Sequence, residues 1–517
     1  MRRAVFSAAA LVGLGTALSR LLGFARDVLV AVLLGAGPAA DAFLVAFRLP
    51  GMVRRVLGEG GLNAGLVPID HRIRAEEGDE AARRFAGEAL TTLALGLLVL
   101  IAVAEIVAPW VVLALAGGYA QDAERLGLAT LYLRLMLPLV AAVTLSAVAA
   151  AILNAAGKVL LAAFAPVVVN VVLVAVLAAL LRVPLADDER ATILAVAVSV
   201  AGVIQLALLV PALFGGPDRP ILVRPRLSPP VRRMLRLGLP GLVVAAASQL
   251  AVLVAVQVAS HTPSAVSLLY FADRVFQLPL GFVSVGVGVV LLPEIARHLH
   301  GAAGSALHDV QNRALEGALL LAIPATVALV LLAGPIVSVL FQHGAFSAAD
   351  AQGAAGCLAA FAPGLVAAAA ARVMAQPFLA RENVRVPLLS AAATLVVTWA
   401  TAVMLEPGWG VAGIAAGVTL GAFAGAGVLA LVLAAGDLWM PDARLHRRLP
   451  RTAAASAAMA VALIGLLPLA APSLDPALPP LVRAVALGLL CLAGLAVFAA
   501  AAFAFGAVSR SDMERTA

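Results

Sequence analysis

The sequence predicts an all-α protein that crosses a membrane through about fourteen helices, and three observations support this fold class. First, the chain of 517 residues is 63% hydrophobic and only 12% charged, a balance that would leave a soluble domain with an apolar surface. Second, apolar runs recur from end to end, each long enough to span a hydrocarbon core of about 30 Å as a helix. Third, these runs are uniformly apolar and do not alternate, which excludes a transmembrane barrel.

The predicted spans follow one another through short polar connections. They cover residues 6–35, 37–57, 87–115, 125–153, 159–181, 191–214, 237–259, 264–293, 315–341, 351–377, 386–405, 409–435, 451–471 and 481–507. The first run has the basic start of a secretion signal, but it continues to Gly35, so we interpret it as a membrane helix. The even number of spans predicts that both termini lie on the same side.

Basic residues are divided unevenly between the two sets of connections. One set, together with the termini, holds most of the 35 Lys and Arg residues, whereas the other holds only Arg125, Arg182, Arg190 and Arg483. Because basic residues concentrate in cytoplasmic loops, the first set and both termini are predicted to be cytoplasmic. This distribution also explains the net charge of +7 without invoking nucleic acid.

An internal repeat predicts the arrangement of the spans. The segment that begins at Gly117 resembles the segment that begins at His343, and each reaches a proline and then a polar turn at similar spacing. Each copy holds six spans, which predicts two pseudo-symmetric lobes around a central cavity. The predicted parts are an N-terminal lobe (1–216), a basic cytoplasmic linker (217–236), a C-terminal lobe (237–436), and two further helices with a cytoplasmic tail (437–517).

Apart from the arginines at or next to span ends, six basic residues fall inside predicted spans, where a charge near the bilayer centre costs about 2.5–3.5 kcal/mol. They are Arg20, Arg26, Arg48, Arg134, Arg274 and Arg372. At 1.5 Å per residue, Arg20 lies about 18 Å and Arg274 about 15 Å into its span. Arginine binds phosphate with two parallel hydrogen bonds, so several deep arginines and few carboxylates predict a cationic cavity for a diphosphate. The alternative is internal pairing: Arg20 or Arg26 with Asp27, and Arg274 with Asp273 or Asp41.

Helix-breaking residues occur beside these arginines. Gly23 lies between Arg20 and Arg26, Pro50 follows Arg48, and Pro279 follows Arg274. We predict that these three positions act as hinges for alternating access, although a proline kink is also common in ordinary membrane helices.

Five segments resemble the MurJ (MviN) family of lipid II flippases, in the multidrug/oligosaccharidyl-lipid/polysaccharide exporter superfamily. They are SRLLGFARD (19–27), ADAFLVAFRLPGMVRRVLGEGGLNAGLVPI (40–69), LNAAGKVLLAAFAPVVVN (153–170), YFADRVFQLPLGFVSVGVGVVLLPEIARH (270–298) and LFQHGAF (340–346). The resemblance implies transport of the undecaprenyl-diphosphate-linked muropeptide from the cytoplasmic to the outer leaflet of the bacterial inner membrane. That step serves peptidoglycan synthesis and cell shape.

The resemblance also assigns residues to the cavity. It implies substrate-binding roles for Arg20, Arg26, Arg54, Arg274 and Asp41, and extends them to Ser19, Asp27, Glu59 and Ser267; Arg48 joins this set because of its depth. Spans 13 and 14 are implied to form an apolar groove for the lipid tail. The implied partners are the lipid-linked glycopeptide, membrane lipids and cell-wall synthesis proteins, and the protein is expected to be a monomer.

The predicted coupling departs from part of this family. Some members bind sodium through carboxylates and asparagine on spans 7, 11 and 12, whereas spans 7 and 11 contain no Asp, Glu or Asn here. We therefore expect no carboxylate sodium site of that kind, no other metal and no cofactor. Coupling to another ion or to the membrane potential stays open, because one charge moved across 100 mV is worth about 2.3 kcal/mol.

Three other functions are compatible with a membrane protein of this size. A flippase for another polyprenyl-diphosphate-linked polysaccharide would use the same diphosphate chemistry. A cation-coupled drug exporter would need carboxylates and aromatics in its cavity, yet aromatic residues make up only 5% of the chain. A membrane-embedded enzyme would need a carboxylate array for Mg²⁺ or a nucleophile with a base. The acidic stretch 72–84 and the HLH of 298–300 fit ordinary loops better, so we predict no enzymatic activity.

Overall fold

A computed structural model of the chain describes residues 2–56, 62–286, 304–381, 383–436 and 438–508. All regular secondary structure within these ranges is helical. The chain divides into two compact units, the first formed by Met1–Gln249 with Ser260–Val266 and the second by Leu250–Ala259 with Ser267–Ala517. The all-α fold class is therefore confirmed, while the predicted lobe boundaries stay a prediction.

The helices up to residue 259 belong largely to the first unit. They are α1 (Arg2–Leu34), α2 (Pro38–Val56), α3 (Leu62–Glu77), α4 (Asp79–Ile106), α5 (Ala108–Leu115), α6 (Ala123–Ala155), α7 (Val159–Leu180), α8 (Asp187–Phe214) and α9 (Pro229–Ala259), with a short 3₁₀ turn at Gly117–Gln121. The later helices belong largely to the second unit. They are α10 (Ala265–Gly286), α11 (Gly304–Leu331), α12 (Ala333–Phe341), α13 (Ala348–Phe361), α14 (Gly364–Ala380), α15 (Arg385–Trp409), α16 (Val411–Ala435), α17 (Ala443–Ala470) and α18 (Pro480–Ala504).

The helices have the length and composition of membrane spans. Every predicted span overlaps a helix, and ten helices of the described chain are individually long and apolar enough to cross a bilayer. The pair α13 and α14, bent by 44° at its break, provides an eleventh. The multi-pass membrane architecture is thus confirmed, and the count of fourteen stays a prediction.

Three predicted spans are interrupted helices. The span 87–115 breaks at Val107, because Pro109 cannot continue a helix but suits the first turn of the next one. The span 315–341 breaks at Leu332, and the span 351–377 breaks beside Pro363. The breaks at Val107 and Leu332 lie 225 residues apart, in agreement with the sequence repeat.

The same spacing recurs at the next helix start in each copy. Asp122 caps α6 by accepting a hydrogen bond from the backbone N–H of Arg125 (3.0 Å). Ser347 caps α13 by accepting one from the backbone N–H of Asp350 (3.1 Å). Short polar side chains at these positions satisfy backbone donors that a helix start leaves open. Two corresponding structural features therefore support the internal repeat.

The first part of the basic linker lies in extended conformation against α4. The backbone N–H of Ile221 donates to the carbonyl of Arg83 (3.0 Å), and the Ser228 hydroxyl donates to the buried carboxylate of Glu88 (2.6 Å). A Cβ on Gly87 would lie 1.9 Å from the carbonyl oxygen of Ile221, so this approach requires glycine. The linker is therefore docked on the first unit up to Ser228, and its remaining residues form the start of α9.

Helices α15 and α16 form the closest helix pair of the second unit. Glycines recur at every fourth position of α16, at Gly413, Gly417, Gly421 and Gly425. A Cβ on Gly421 would lie 2.0 Å from Oγ1 of Thr398 on α15. Such small-residue faces let membrane helices pack backbone to backbone.

Candidate functional site

The first unit places a buried arginine at the centre of a polar network on α1. The Nε and NH2 atoms of Arg26 both donate to Oδ1 of Asp27, at 3.0 and 2.7 Å, and NH1 donates to Oδ1 of Asn170 on α7 at 3.1 Å. Arg26 and Asp27 are 5% and 2% exposed. One of the pairings considered from the sequence, Arg26 with Asp27, is thus present in this structure.

Asn170 joins α7 to the same face of α1. Its side-chain Nδ2 donates to the carbonyl oxygen of Ser19 at 3.0 Å and lies 3.3 Å from the Ser19 hydroxyl. A Cβ on Gly23 would lie 3.6 Å from Oδ1 of Asn170, so the glycine leaves room for this amide. Ser19 and Arg26 are seven residues apart and share one helix face, as helical periodicity predicts.

Asn170 is a residue of this network that the pattern of charged residues did not predict. The available signal was a lone asparagine within an apolar span, which is costly unless the amide has partners. Only the packing of α7 against α1 shows that its partners are Ser19 and Arg26. The network therefore needs an amide from a helix far along the chain, 144 residues beyond Arg26.

The Arg26 guanidinium also contacts α2. It lies over the ring of Phe47, 5.0 Å from the ring centroid, which is a cation–π contact. A buried guanidinium is stable only when its charge and its donors are compensated. Here a carboxylate, an amide and an aromatic face share that role.

Asp41 lies in the first turn of α2, where the helix dipole favours a negative charge. It is 1% exposed. Tyr119, in the 3₁₀ turn, is fully buried near this carboxylate; burial and, to a smaller extent, the charge of Asp41 raise the pKa of its phenol. Asp41 is therefore an interior group of the first unit, away from bulk water.

The other predicted site residues of the first unit lie on α1 and α2. Arg20 is exposed on α1, and Arg48 is half-buried on α2. Arg54 belongs to α2, but its side chain lies outside the described part of the chain, as does the whole of Glu59. Helix α2 continues through Pro50.

The second unit holds Arg274 on α10. Its NH2 atom donates to the Tyr270 hydroxyl at 2.9 Å, and the guanidinium lies 4.6 Å from the centroid of the same ring. Ser267 is fully buried on this helix, three residues before Tyr270 and seven before Arg274, so the three share one face. Asp273 accepts a hydrogen bond from Gln277 (3.2 Å), and α10 continues through Pro279.

The structure thus forms two local sites, one in each unit. The first brings together Ser19, Gly23, Arg26 and Asp27 with Asn170; the second brings together Ser267 and Arg274 with Tyr270. In the first, the Arg26 guanidinium donates to a carboxylate and an amide; in the second, the Arg274 guanidinium donates to a phenol hydroxyl. Among the described residues, no group of three or more His, Cys, Asp and Glu side chains is placed to hold a metal ion.

Comparisons with known sequences show which family the chain resembles. The family model described as lipid II flippase MurJ matches residues 30–478. A probable lipid II flippase MurJ from Rhizobium meliloti (strain 1021) is 36% identical over 511 residues, covering 98% of this chain and 95% of the relative. The lipid II flippase MurJ of Burkholderia cenocepacia is 32% identical over 435 residues, covering 83% of each chain.

Solved structures show the same fold. A lipid II flippase MurJ in an inward closed conformation superimposes with a TM-score of 0.78 at 20% identity, covering 95% of this chain and 98% of that one. An inward-facing multidrug resistance MATE family transporter of the MOP superfamily gives a TM-score of 0.64 at 18% identity, covering 81% and 95%. The family match spans most of the chain, and the Rhizobium meliloti relative aligns nearly end to end. This chain is therefore a multi-pass membrane protein that belongs to the lipid II flippase MurJ family.

Proposed function

We propose that this protein moves lipid II, the undecaprenyl-diphosphate-linked muropeptide, from the cytoplasmic to the outer leaflet of the bacterial inner membrane by alternating access. The observation that carries the proposal is the buried Arg26 on α1, whose guanidinium donates twice to a single carboxylate oxygen. Phosphate oxygens accept the same pair of donors. The diphosphate therefore competes with Asp27 for Arg26 when the head group enters.

Asn170 and Phe47 keep the guanidinium in place during this exchange. The amide of Asn170 holds NH1 from one side, and the ring of Phe47 covers the guanidinium. Arg26 thus stays oriented while its partner changes from carboxylate to phosphate. The entropic cost of ordering the Arg26 side chain on phosphate binding is therefore lower. After the product leaves, Asp27 pairs with Arg26 again, so the network stays close to neutral.

The remaining arginines extend the path for the anion. Arg20 is exposed on the same helix and attracts the diphosphate, and Arg54 captures it at the cytoplasmic entrance. Arg274, which donates to the Tyr270 hydroxyl, supplies a second guanidinium for the diphosphate. Arg48, Asp41, Ser267 and Glu59 complete the proposed substrate-binding set.

The proposal includes the membrane context. The prenyl tail stays in lipid beside α17 and α18, which carry apolar exposed faces. Both termini are cytoplasmic, the protein acts as a monomer without a cofactor or catalytic step, and cell-wall synthesis proteins supply and consume the substrate. Hinge motions at Gly23, Pro50 and Pro279 help the transporter change conformation, and the membrane potential helps release the anion on the outside.

The test measures lipid II exposed at the outer leaflet of cells depleted of their own flippase. The parent chain is compared with Arg20→Ala, Arg274→Ala and the control Arg72→Ala, which alters an exposed ion pair with Glu76. We expect the parent and the control to restore exposure and the other two variants to fail at matched membrane levels.

Two outcomes contradict the proposal. If the parent inserts but restores no exposure, lipid II is not the substrate, and polysaccharides linked to polyprenyl diphosphate become the next candidates. If Arg20→Ala and Arg274→Ala work as well as the parent, the arginines do not bind the diphosphate.

A further inference from the structure

Arg483, at the outer start of α18, is a buried arginine in a position that basic-residue counting assigns to an exposed loop. It is 1% exposed, and its NH2 atom donates to both the carbonyl oxygen and the hydroxyl of Ser338 on α12, each at 2.7 Å. The Ser338 hydroxyl in turn donates to the side chain of Gln342 (2.6 Å). Arg483 thus joins α18 to the last turn of α12.

The partner of Arg483 is the end of a helix. Helix α12 ends at Phe341, so the carbonyl of Ser338 is one of the last in the helix, where the dipole is negative. Among the described residues, no carboxylate lies within ion-pair distance of this guanidinium. The negative end of α12, together with the more distant charge of Asp475, therefore partly compensates a buried positive charge that is costly in lipid, while Nε of Arg483 has no hydrogen-bond partner among the described residues.

A second attachment lies at the cytoplasmic end of the same helices. Glu316 on α11 accepts hydrogen bonds from Arg444 (3.1 Å) and Arg448, both on α17. Arg313 on α11 pairs with Glu316 (2.9 Å) and with Asp442, the residue that caps α17. Helix α17 therefore begins in a network of charges centred on α11.

The loop before α17 is held by the neighbouring turn of α11. The indole Nε1 of Trp439 donates to the side chain of Asn312 (2.8 Å), whose Nδ2 donates to the carbonyl of Met440 (2.9 Å). Asn312 is 1% exposed. These neutral bonds fix the connection as well as the helix start.

The two attachments lie at opposite ends of the membrane path. Glu316 and Ser338 are 22 residues apart along α11 and α12, which is about 33 Å at helical rise and close to the thickness of a hydrocarbon core. Between them, Leu332 belongs to one buried apolar cluster with Met459 and Leu463 of α17 and Leu490 of α18. Polar contacts at both ends and an apolar contact in the middle restrict the sliding of α17 and α18 along α11 and α12.

We propose that Arg483 is a positioning residue for transport. It holds α18, and α17 with it, against α12, so that the last two helices move with the second unit. These helices then present one fixed apolar face to the prenyl tail. This inference rests on the proposed function, because it concerns the tail of that substrate. The outward side chains of α18 are apolar along its length, including Leu481, Leu489, Leu492 and Leu495. Without Arg483, this face shifts relative to the site that holds the head group.

The test uses the purified full-length protein in proteoliposomes with two fluorescent lipid II analogues, one with an undecaprenyl tail and one with a farnesyl tail. Arg483→Ala removes the attachment, Arg483→Lys keeps a cationic donor to the helix end, and Arg182→Ala is the control at an exposed arginine on the same side. We expect Arg483→Ala to move the long-tailed analogue about tenfold more slowly, the effect of losing a hydrogen bond to a charged group. Arg483→Lys restores most of the rate, and the short-tailed analogue is little affected.

A second readout is independent of transport. Spin labels at Leu481 on α18 and Val330 on α11, both exposed, report the distance between the helices after Cys357 and Cys491 are replaced by serine. We expect one narrow distance in the parent and in the Arg182→Ala control, and a broad distribution in Arg483→Ala.

The outcomes separate the inference from the function on which it rests. A parent that moves neither analogue contradicts the proposed function. A parent that moves both, with Arg483→Ala equally slow on both and not rescued by lysine, shows a general packing role and overturns the positioning role. A narrow distance in Arg483→Ala overturns the attachment itself.

Discussion

The buried pair of Arg26 and Asp27 gives a prediction whose size follows from the structure. The side chains are 6% and 4% exposed and joined at 2.7 Å. Removing one partner of such a pair leaves a buried charge without compensation and costs about 3–5 kcal/mol, whereas replacing both by apolar side chains of similar volume is often close to neutral. We expect Arg26→Met and Asp27→Leu to destabilise the protein strongly as single changes, and the double variant to recover much of the loss.

The magnitude of the coupling distinguishes this pair from a surface pair. Because each single change costs about 3–5 kcal/mol and the double change is close to neutral, the coupling energy expected from the cycle exceeds about 3 kcal/mol, above the usual range for residues in direct contact. The matched control is Arg72 with Glu76, an ion pair whose side chains are 51% and 55% exposed. Exposed pairs of this kind contribute about 0–1 kcal/mol.

The assay is equilibrium unfolding of the purified variants in one detergent, with the free energy of unfolding taken for each corner of the cycle. The same preparations are tested for lipid II transport, because the double variant should regain stability but not activity. Stability losses that add without coupling would refute the buried ion pair. A fully active double variant would refute the role of Arg26 in binding the diphosphate.

Two further predictions concern the linker and helix α3 of the first unit. Gly87→Ala should displace the linker from α4, because the added Cβ would lie 1.9 Å from the Ile221 carbonyl oxygen. Limited trypsin digestion should then cut the linker faster than in the parent. The control is Gly96→Ala, whose Cβ would have no atom within 4 Å. Equal digestion of both variants would contradict the docked linker. Burial raises the pKa of Asp70 on α3 above its usual 3.8, and the charge of Arg74 partly offsets this rise. The folded state therefore binds the Asp70 proton more tightly than the unfolded state does. The stability that this protonation contributes is lost as the pH rises through the raised pKa. The stability of the parent relative to Asp70→Asn should therefore fall as pH increases from about 4, measured by unfolding midpoints across pH; a constant difference would contradict the shift.

The sequence was sufficient to predict the helical class, the multi-pass membrane architecture and the arginines that need a polar environment. Length and hydrophobicity fix these features locally, because a backbone in lipid must satisfy its own hydrogen bonds and a charge there must find a partner. The family followed from short motifs around the same residues. These are properties of neighbouring residues, and they need no knowledge of which helices touch.

Tertiary structure decided which partners the polar groups have. In the sequence, Asn170 is one polar residue in an apolar helix, and the packing of α7 on α1 shows that it contacts Ser19 and Arg26. In the sequence, Arg483 is counted with the arginines of the connections, and the position of α18 shows that it contacts the end of α12. Both outcomes depend on contacts between helices far apart in the chain. Local pattern shows that a buried donor needs an acceptor, but only the packing of distant helices determines which acceptor it reaches.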